Sequence, residues 1–235
     1  MNYEPIATIY NDFPTKFGLP RQSGMSQHLI SQIVMEPAYR NPEAFRGIED
    51  FSDLWLLWAF EPMGKRRWSP TVRPPKLGGN KRMGIFATRS PNRPNPIGLT
   101  RVKLISLELT ADRGTVLTVA GADLMNGTAI LDIKPYLPFA DSEPGAKTGA
   151  YGPQNTTSLE VAIPDKIREP FTAEQLATLE EALSHDPRPG YQDDPDRVYG
   201  FAYGGYDIRF TVNGKSLTVI EAIKTNDPHP EKDGT

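Results

Sequence analysis

Apolar residues in the first half of the chain fall in short runs that stop at Gly, Pro, Asn or Asp. The runs are rich in Ile, Val, Leu, Phe and Trp, which predicts strands rather than helices. They place strands at Ile6–Tyr10, His28–Met35, Leu54–Phe60, Gly84–Thr88, Leu99–Leu109, Thr115–Ala122 and Ala129–Ile133. One helical turn is predicted, over Pro42–Ile48, with Asn41 as its cap and Pro42 at its first position. Seven short strands with almost no helix between them favour one sheet closed, or nearly closed, into a β-barrel over a βαβ unit.

The pattern changes after Tyr136. Residues 141–157 are polar and rich in Gly and small side chains, as expected of a linker or exposed loop. A strand follows at Leu159–Ile163, then an amphipathic helix on which Leu176, Leu179 and Leu183 recur at helical spacing. Thr172 with Gln175 three residues on has the spacing of a capping box. Strands at Tyr206–Val212 and Ser216–Ile223 flank Asn213-Gly214, a dipeptide suited to a type I′ hairpin turn. The chain is therefore expected to be mainly β. A barrel domain over 1–140 and a linker over 141–157 precede a small α+β domain over 158–228 and a disordered tail over 229–235.

Composition adds exclusions. Hydrophobic residues at 38% and charged residues at 23% are those of an ordinary globular protein. No run of eighteen apolar residues could form a transmembrane helix. The start, MNYEPIATIYNDF, lacks the basic and apolar regions of a secretory signal, so the cytoplasm is the expected compartment. With no Cys and three dispersed His there is no disulfide and no transition-metal site to expect.

Net charge is −3, and that average conceals a sorted distribution. Between Pro62 and Leu107 there is no acid but eleven bases: Lys65, Arg66, Arg67, Arg73, Lys76, Lys81, Arg82, Arg89, Arg93, Arg101 and Lys103. They are interleaved with Trp68, Pro, Gly and Asn, hence spread over loops and strand ends. Arg predominates, and its planar fork suits phosphates and stacking on bases. An anionic partner, nucleic acid above all, fits this stretch. Within it, Arg89-Ser-Pro-Asn-Arg-Pro-Asn-Pro-Ile-Gly98 fixes its backbone with three prolines. It would hold Arg89, Asn92, Arg93 and Asn95 at set positions, with little to lose in ordering on binding. In Asp132-Ile-Lys-Pro-Tyr136, strand alternation puts Asp132 and Lys134 on one face, either as a structural ion pair or to receive a ligand. GxGxxG, Walker and GxSxG signatures are missing, which removes support for Rossmann, P-loop and α/β-hydrolase sites. The residues alone give a basic β-barrel with a rigid polar loop.

Pro20-Arg21-Gln22, Arg93-Pro-Asn-Pro-Ile-Gly98, Asp132-Ile-Lys-Pro-Tyr136 and Asp186-Pro-Arg-Pro189 together resemble the TsaA/TrmO family in its longer bacterial form. The resemblance implies a homodimeric, S-adenosylmethionine-dependent enzyme that methylates N6 of threonylcarbamoyladenosine beside the tRNA anticodon. It implies cofactor contacts at Pro20, Arg21, Gln22, Glu61, Pro62, Arg89, Leu99, Ile130, Leu131, Asp132 and Ile133. Glu61-Pro62 departs from the pair usual in the family, which leaves backbone contacts there. The expected tRNA contacts are Arg66, Arg67, Arg73, Lys76, Lys81, Arg82 and Arg188. Asp132 would accept the N6 proton or orient the cofactor amine. Arg89 or Arg93 would engage the threonyl carboxylate, with Asn95 on the same rigid loop. A non-catalytic RNA-binding or adaptor protein on the same barrel is the competing class. It accounts for the basic stretch but not for the pairing of the two dense motifs.

Overall fold

Eight strands are formed before Pro138 in the computed structural model, which describes residues 3–19, 26, 28–60, 68–74, 82–151, 158–188 and 194–225. They are β1 (Ala7–Tyr10), β2 (Ile30–Met35), β3 (Asp53–Ala59), β4 (Thr71–Val72), β5 (Met83–Gly84), β6 (Ile97–Thr110), β7 (Gly114–Ala120) and β8 (Ala129–Pro135). All but β4 and β5 join one antiparallel sheet that closes on itself in the order β1-β2-β7-β6-β3-β8. Alternation drives the closure. Ile9, Ile33, Leu54, Leu56, Leu117, Val119 and Ile130 are fully buried in the barrel, while the residues between them face outward.

Six of the seven expected strands are barrel strands. The seventh, Gly84–Thr88, is not one. Met83–Gly84 pairs with β4, and Ile85–Ala87 then curls into a 3₁₀ turn. The backbone N–H and the hydroxyl of Thr88 both donate to the Ile85 carbonyl, at 3.2 and 2.9 Å, which prevents extension. The turn expected over Pro42–Ile48 becomes two 3₁₀ segments, Pro42–Phe45 and Ile48–Asp50. Asn41 caps the first by accepting from Glu43 N–H at 3.0 Å, and Gly47, at φ +84°, separates them.

β8 carries the irregularity that matters most for the site. Leu57 pairs with Asp132 but Trp58 pairs with Ile130, so Leu131 is an extra, bulged residue. The bulge reverses the alternation. Ile130 points into the barrel, whereas Asp132 points outward beside Leu57, and Lys134 follows it beside Trp55.

Beyond the barrel come α1 (Pro138–Asp141), β9 (Glu160–Ala162), α2 (Asp165–Arg168), α3 (Ala173–Ser184), β10 (Tyr199–Tyr203), β11 (Tyr206–Asn213) and β12 (Ser216–Lys224). The second sheet runs β10-β11-β12-β9, with β9 parallel to β12. Thr172 and Gln175 form the capping box at the start of α3. The turn between β11 and β12 departs from expectation. Asn213 pairs with Ser216, so the loop is Gly214-Lys215, and only Gly214 has positive φ. That is the pattern of a type II′ turn, with Gly at the first loop position. β10, with sequence YGFAY, lies outside the predicted strands, because its Gly and Ala dilute the apolar signal. The tail expected over 229–235 lies outside the described residues.

A single apolar core runs through both units. Phe13, after β1, lies 4.8 Å from the Tyr203 ring and 6.4 Å from that of Phe201. Gly204 N–H donates to Asp12 O at 3.0 Å, and Tyr203 Oη donates to Gln175 O at 2.8 Å. Among the described residues no helix is long and apolar enough to cross a membrane.

Candidate functional site

An open cleft of about 1600 Å³ lies where β3 and β6 meet the proline-rich loop before β6 and the segment before β8. Its first wall is aromatic. Trp55 donates its indole N–H to Asp141 Oδ2 at 2.9 Å and meets the Tyr136 ring edge-on at 5.6 Å. The Arg101 guanidinium lies over Tyr136 at 5.1 Å and reaches Asp53 at 3.7 Å. Farther along, Trp58 packs on Phe60 with centroids 4.1 Å apart.

The second wall is the loop itself. Arg93 Nη1 donates to Ile85 O at 3.2 Å and Thr88 O at 2.6 Å, and its guanidinium lies over Phe86. Phe60 N–H donates to Pro96 O at 2.9 Å, tying the loop to the end of β3. Arg93 is thus a brace for this wall. Arg89 is exposed on the cleft, its backbone N–H donating to Tyr151 Oη at 3.3 Å. Asn95 is exposed on the loop but does not line the cleft.

The floor is polar. Trp58 Nε1–H donates to Thr100 Oγ1 at 3.0 Å, and Thr100 donates to Asp123 Oδ1 at 2.7 Å. Asp123 sits in an extended stretch whose neighbours Ala122 and Leu124 enter the core, so the acid faces the cleft.

Of the residues singled out from sequence, the cleft gathers Arg73, Arg89, Asn92, Arg93, Leu99 and Arg101. Ile130 is inside the barrel, and Leu131, Asp132 and Ile133 follow it on β8, off the cleft lining. Asp132 pairs with Lys134 at 2.8 Å and accepts from Ile133 N–H at 3.0 Å. Arg82 is exposed. Arg188 is placed differently: its side chain is 10% exposed and grips Asp186 through two bonds of 2.9 Å. Pro20, Arg21, Gln22, Glu61, Pro62, Arg66, Arg67, Lys76 and Lys81 lie outside the described residues. Asp123, Thr100 and Trp58 are not among the residues that sequence motifs single out. The alternation of Ala122, Asp123 and Leu124 is their one available signal.

The sequence profile described as tRNA-methyltransferase O N-terminal domain matches residues 8–142, and the TrmO C-terminal domain profile matches residues 156–225. The chain belongs to the TrmO family. The first TrmO profile spans β1 to α1, and the second spans β9 to β12. The tRNA (adenine(37)-N6)-methyltransferase of Escherichia coli K12 is 38% identical over 234 residues, which cover 93% of this chain and 96% of that protein. The Eikenella corrodens protein of the same name is 43% identical over 174 residues, covering 74% and 97% respectively. The crystal structure of TrmO from Pseudomonas aeruginosa superposes with a TM-score of 0.76 at 27% identity, covering 94% of this chain and 98% of that one.

Proposed function

We propose that this protein methylates N6 of the adenine beside the tRNA anticodon, taking the methyl group from S-adenosylmethionine, and that the adenine carries a threonylcarbamoyl group. The observation that carries this reading is membership of the TrmO family across both structural units, including relatives named tRNA (adenine(37)-N6)-methyltransferase.

The cleft fits such a pair of ligands. A single-ligand site encloses roughly 300–1,000 Å³, so a volume of about 1600 Å³ leaves room for donor and nucleoside together. Trp55, Trp58 and Phe60 offer faces for adenine rings and for a sulfonium cation. When bound, the cofactor supplies an electrophilic methyl group. The chain's part is to align N6 with it, to exclude water and to handle the N6 proton. Of the two arginines on the proline-rich loop, Arg89 is the one proposed for the threonyl carboxylate, because Arg93 is committed to backbone carbonyls. Leu99 and the β8 segment Leu131, Asp132 and Ile133 are the proposed cofactor contacts, completed by Pro20–Gln22 and Glu61-Pro62.

Arg73 and Arg82 start the proposed tRNA face, continued in sequence by Arg66, Arg67, Lys76 and Lys81. The protein is proposed to act as a homodimer. The site of action is the cytoplasm. Mass spectrometry of tRNA nucleosides with and without the gene tests the function. Loss of the methylated form of threonylcarbamoyladenosine is the expected result, and an unchanged nucleoside profile refutes the proposal.

A further inference from the structure

Among the described residues three carboxylates face the cleft: Asp123, Asp141 and Glu143. Asp141 Oδ2 already accepts from Trp55 Nε1 and from Leu137 N–H, each at 2.9 Å. Glu143 accepts from Gly145 N–H at 3.2 Å on an exposed turn. Asp123 stands on the floor, and two strands are built to hold it there.

The construction starts at Gly98, which pairs with Trp58 across β3 and β6. A Cβ at Gly98 would come within 2.1 Å of Trp58 Cε2, so glycine is what lets the indole lie across β6. Seated there, the indole N–H donates to Thr100 Oγ1 at 3.0 Å. Thr100 is 1% exposed, so its hydroxyl has no bulk water to turn to. With the oxygen receiving the indole proton, the hydroxyl's own proton is directed to Asp123 Oδ1, 2.7 Å away. The glycine ending the Arg93-Pro-Asn-Pro-Ile-Gly98 motif thereby sets the position of a carboxylate 25 residues further along the sequence.

We propose that Asp123 is the proton acceptor of the reaction and that Trp58 and Thr100 are its positioning residues; this rests on the methyltransferase reading above. In threonylcarbamoyladenosine the N6 lone pair is delocalised into both the purine and the carbamoyl carbonyl. Neutral N6 is therefore a weak nucleophile, and its N–H is correspondingly more acidic. The N6 proton passes to an Asp123 carboxylate oxygen, and the electron pair left on nitrogen forms the bond to the transferred methyl carbon. The bond between that carbon and sulfur breaks with its pair retained by sulfur. The carboxylic acid then returns its proton to water. Asp132 is placed worse for this task. The bulge at Leu131 leaves it beside Leu57, off the lining of the cleft that Asp123 faces.

The test combines three measurements: single-turnover methylation of an anticodon-arm RNA bearing threonylcarbamoyladenosine, calorimetric titration with S-adenosylhomocysteine, and thermal unfolding. They are applied to the full-length wild type and to Asp123→Asn, Asp132→Asn, Thr100→Val and Thr100→Ser. A wild type that fails to methylate this RNA refutes the methyltransferase reading and the proposal with it. Given wild-type turnover, Asp123→Asn is expected to lower the single-turnover rate by about 10²–10⁴-fold with S-adenosylhomocysteine affinity retained. Thr100→Val is expected to lower the rate with affinity and KM for RNA retained, and Thr100→Ser to restore it. Three results overturn the assignment of Asp123: a wild-type rate in Asp123→Asn, a loss of rate matched by a loss of affinity, or a larger loss in Asp132→Asn at unchanged affinity. Should Asp123→Asn not fold, equal rates in the Val and Ser variants of Thr100 overturn it instead.

Discussion

Arg89 and Arg93 look alike in the sequence, four residues apart in one proline-rich stretch, and the fold gives them different work. Arg93 satisfies the carbonyls of Ile85 and Thr88, and Arg89 remains exposed on the cleft. Arg93→Ala is expected to lower unfolding free energy by about 1–3 kcal/mol, the usual penalty for stranding partly buried polar groups. Arg89→Ala should stay within about 0.5 kcal/mol of wild type. Its expected effect is a weaker preference for threonylcarbamoylated over unmodified RNA, measured by competition binding. Equal stability losses in the two variants would contradict this division. Gly98 offers a second residue-level check. Gly98→Ala forces the Trp58 indole off β6, and overpacking of this kind costs about 1–3 kcal/mol. Denaturant unfolding with near-UV circular dichroism reports both the loss and the displaced indole. The rigid loop is legible from its prolines, whereas the division between its two arginines depends on where distant carbonyls come to lie.

At the scale of elements, six barrel strands, the capped helix α3 and the hairpin of β11 and β12 can be read from periodicity. The failures share a cause. Periodicity describes runs, and each failure is a local interruption. Thr88 curls the end of the predicted fourth strand back on Ile85, and Gly200 with Ala202 thins the apolar signal of β10. Asp132 and Lys134 do share a face, but the Leu131 bulge decides which face. The basic stretch between β3 and β6 gives a prediction of its own. Arg73→Glu is expected to weaken tRNA binding and to lower the slope of log affinity against log salt by about 1 for each phosphate no longer neutralised. A filter-binding salt series reads this directly, and an unchanged slope would exclude Arg73 from the RNA face.

Across the whole molecule, the division into barrel and α+β unit describes the sequence better than it describes the packing. Phe13 is fully buried against Phe201 and Tyr203, and one apolar cluster spans both units. Phe13→Ala is expected to cost about 3–5 kcal/mol and to separate one unfolding transition into two in calorimetry. A single unsplit transition would show that the seam is not what couples the units. Burial pushes the Tyr203 phenol above its usual value of 10.0, with the Asp12 charge adding to the effect. The neutral phenol is thus favoured in the folded state. Its contribution to stability is complete below pH 10.0 and declines as the pH rises above it. Stability measured between neutral and strongly alkaline pH should show that decline, and Tyr203→Phe should flatten it.

The seam also has a consequence in time. Phe13 and Gly18 precede Phe201 and Tyr203, which cover them, by nearly the whole barrel and α3, so the seam is made of contacts of long sequence separation. A Cβ at Gly18 would meet the Phe201 ring at 2.3 Å, so this fit is close as well as late. The nascent barrel must therefore wait, with the exit of β1 uncovered, until β10 has been made. A chain released before β10 would carry its defect far from the break, beside β1.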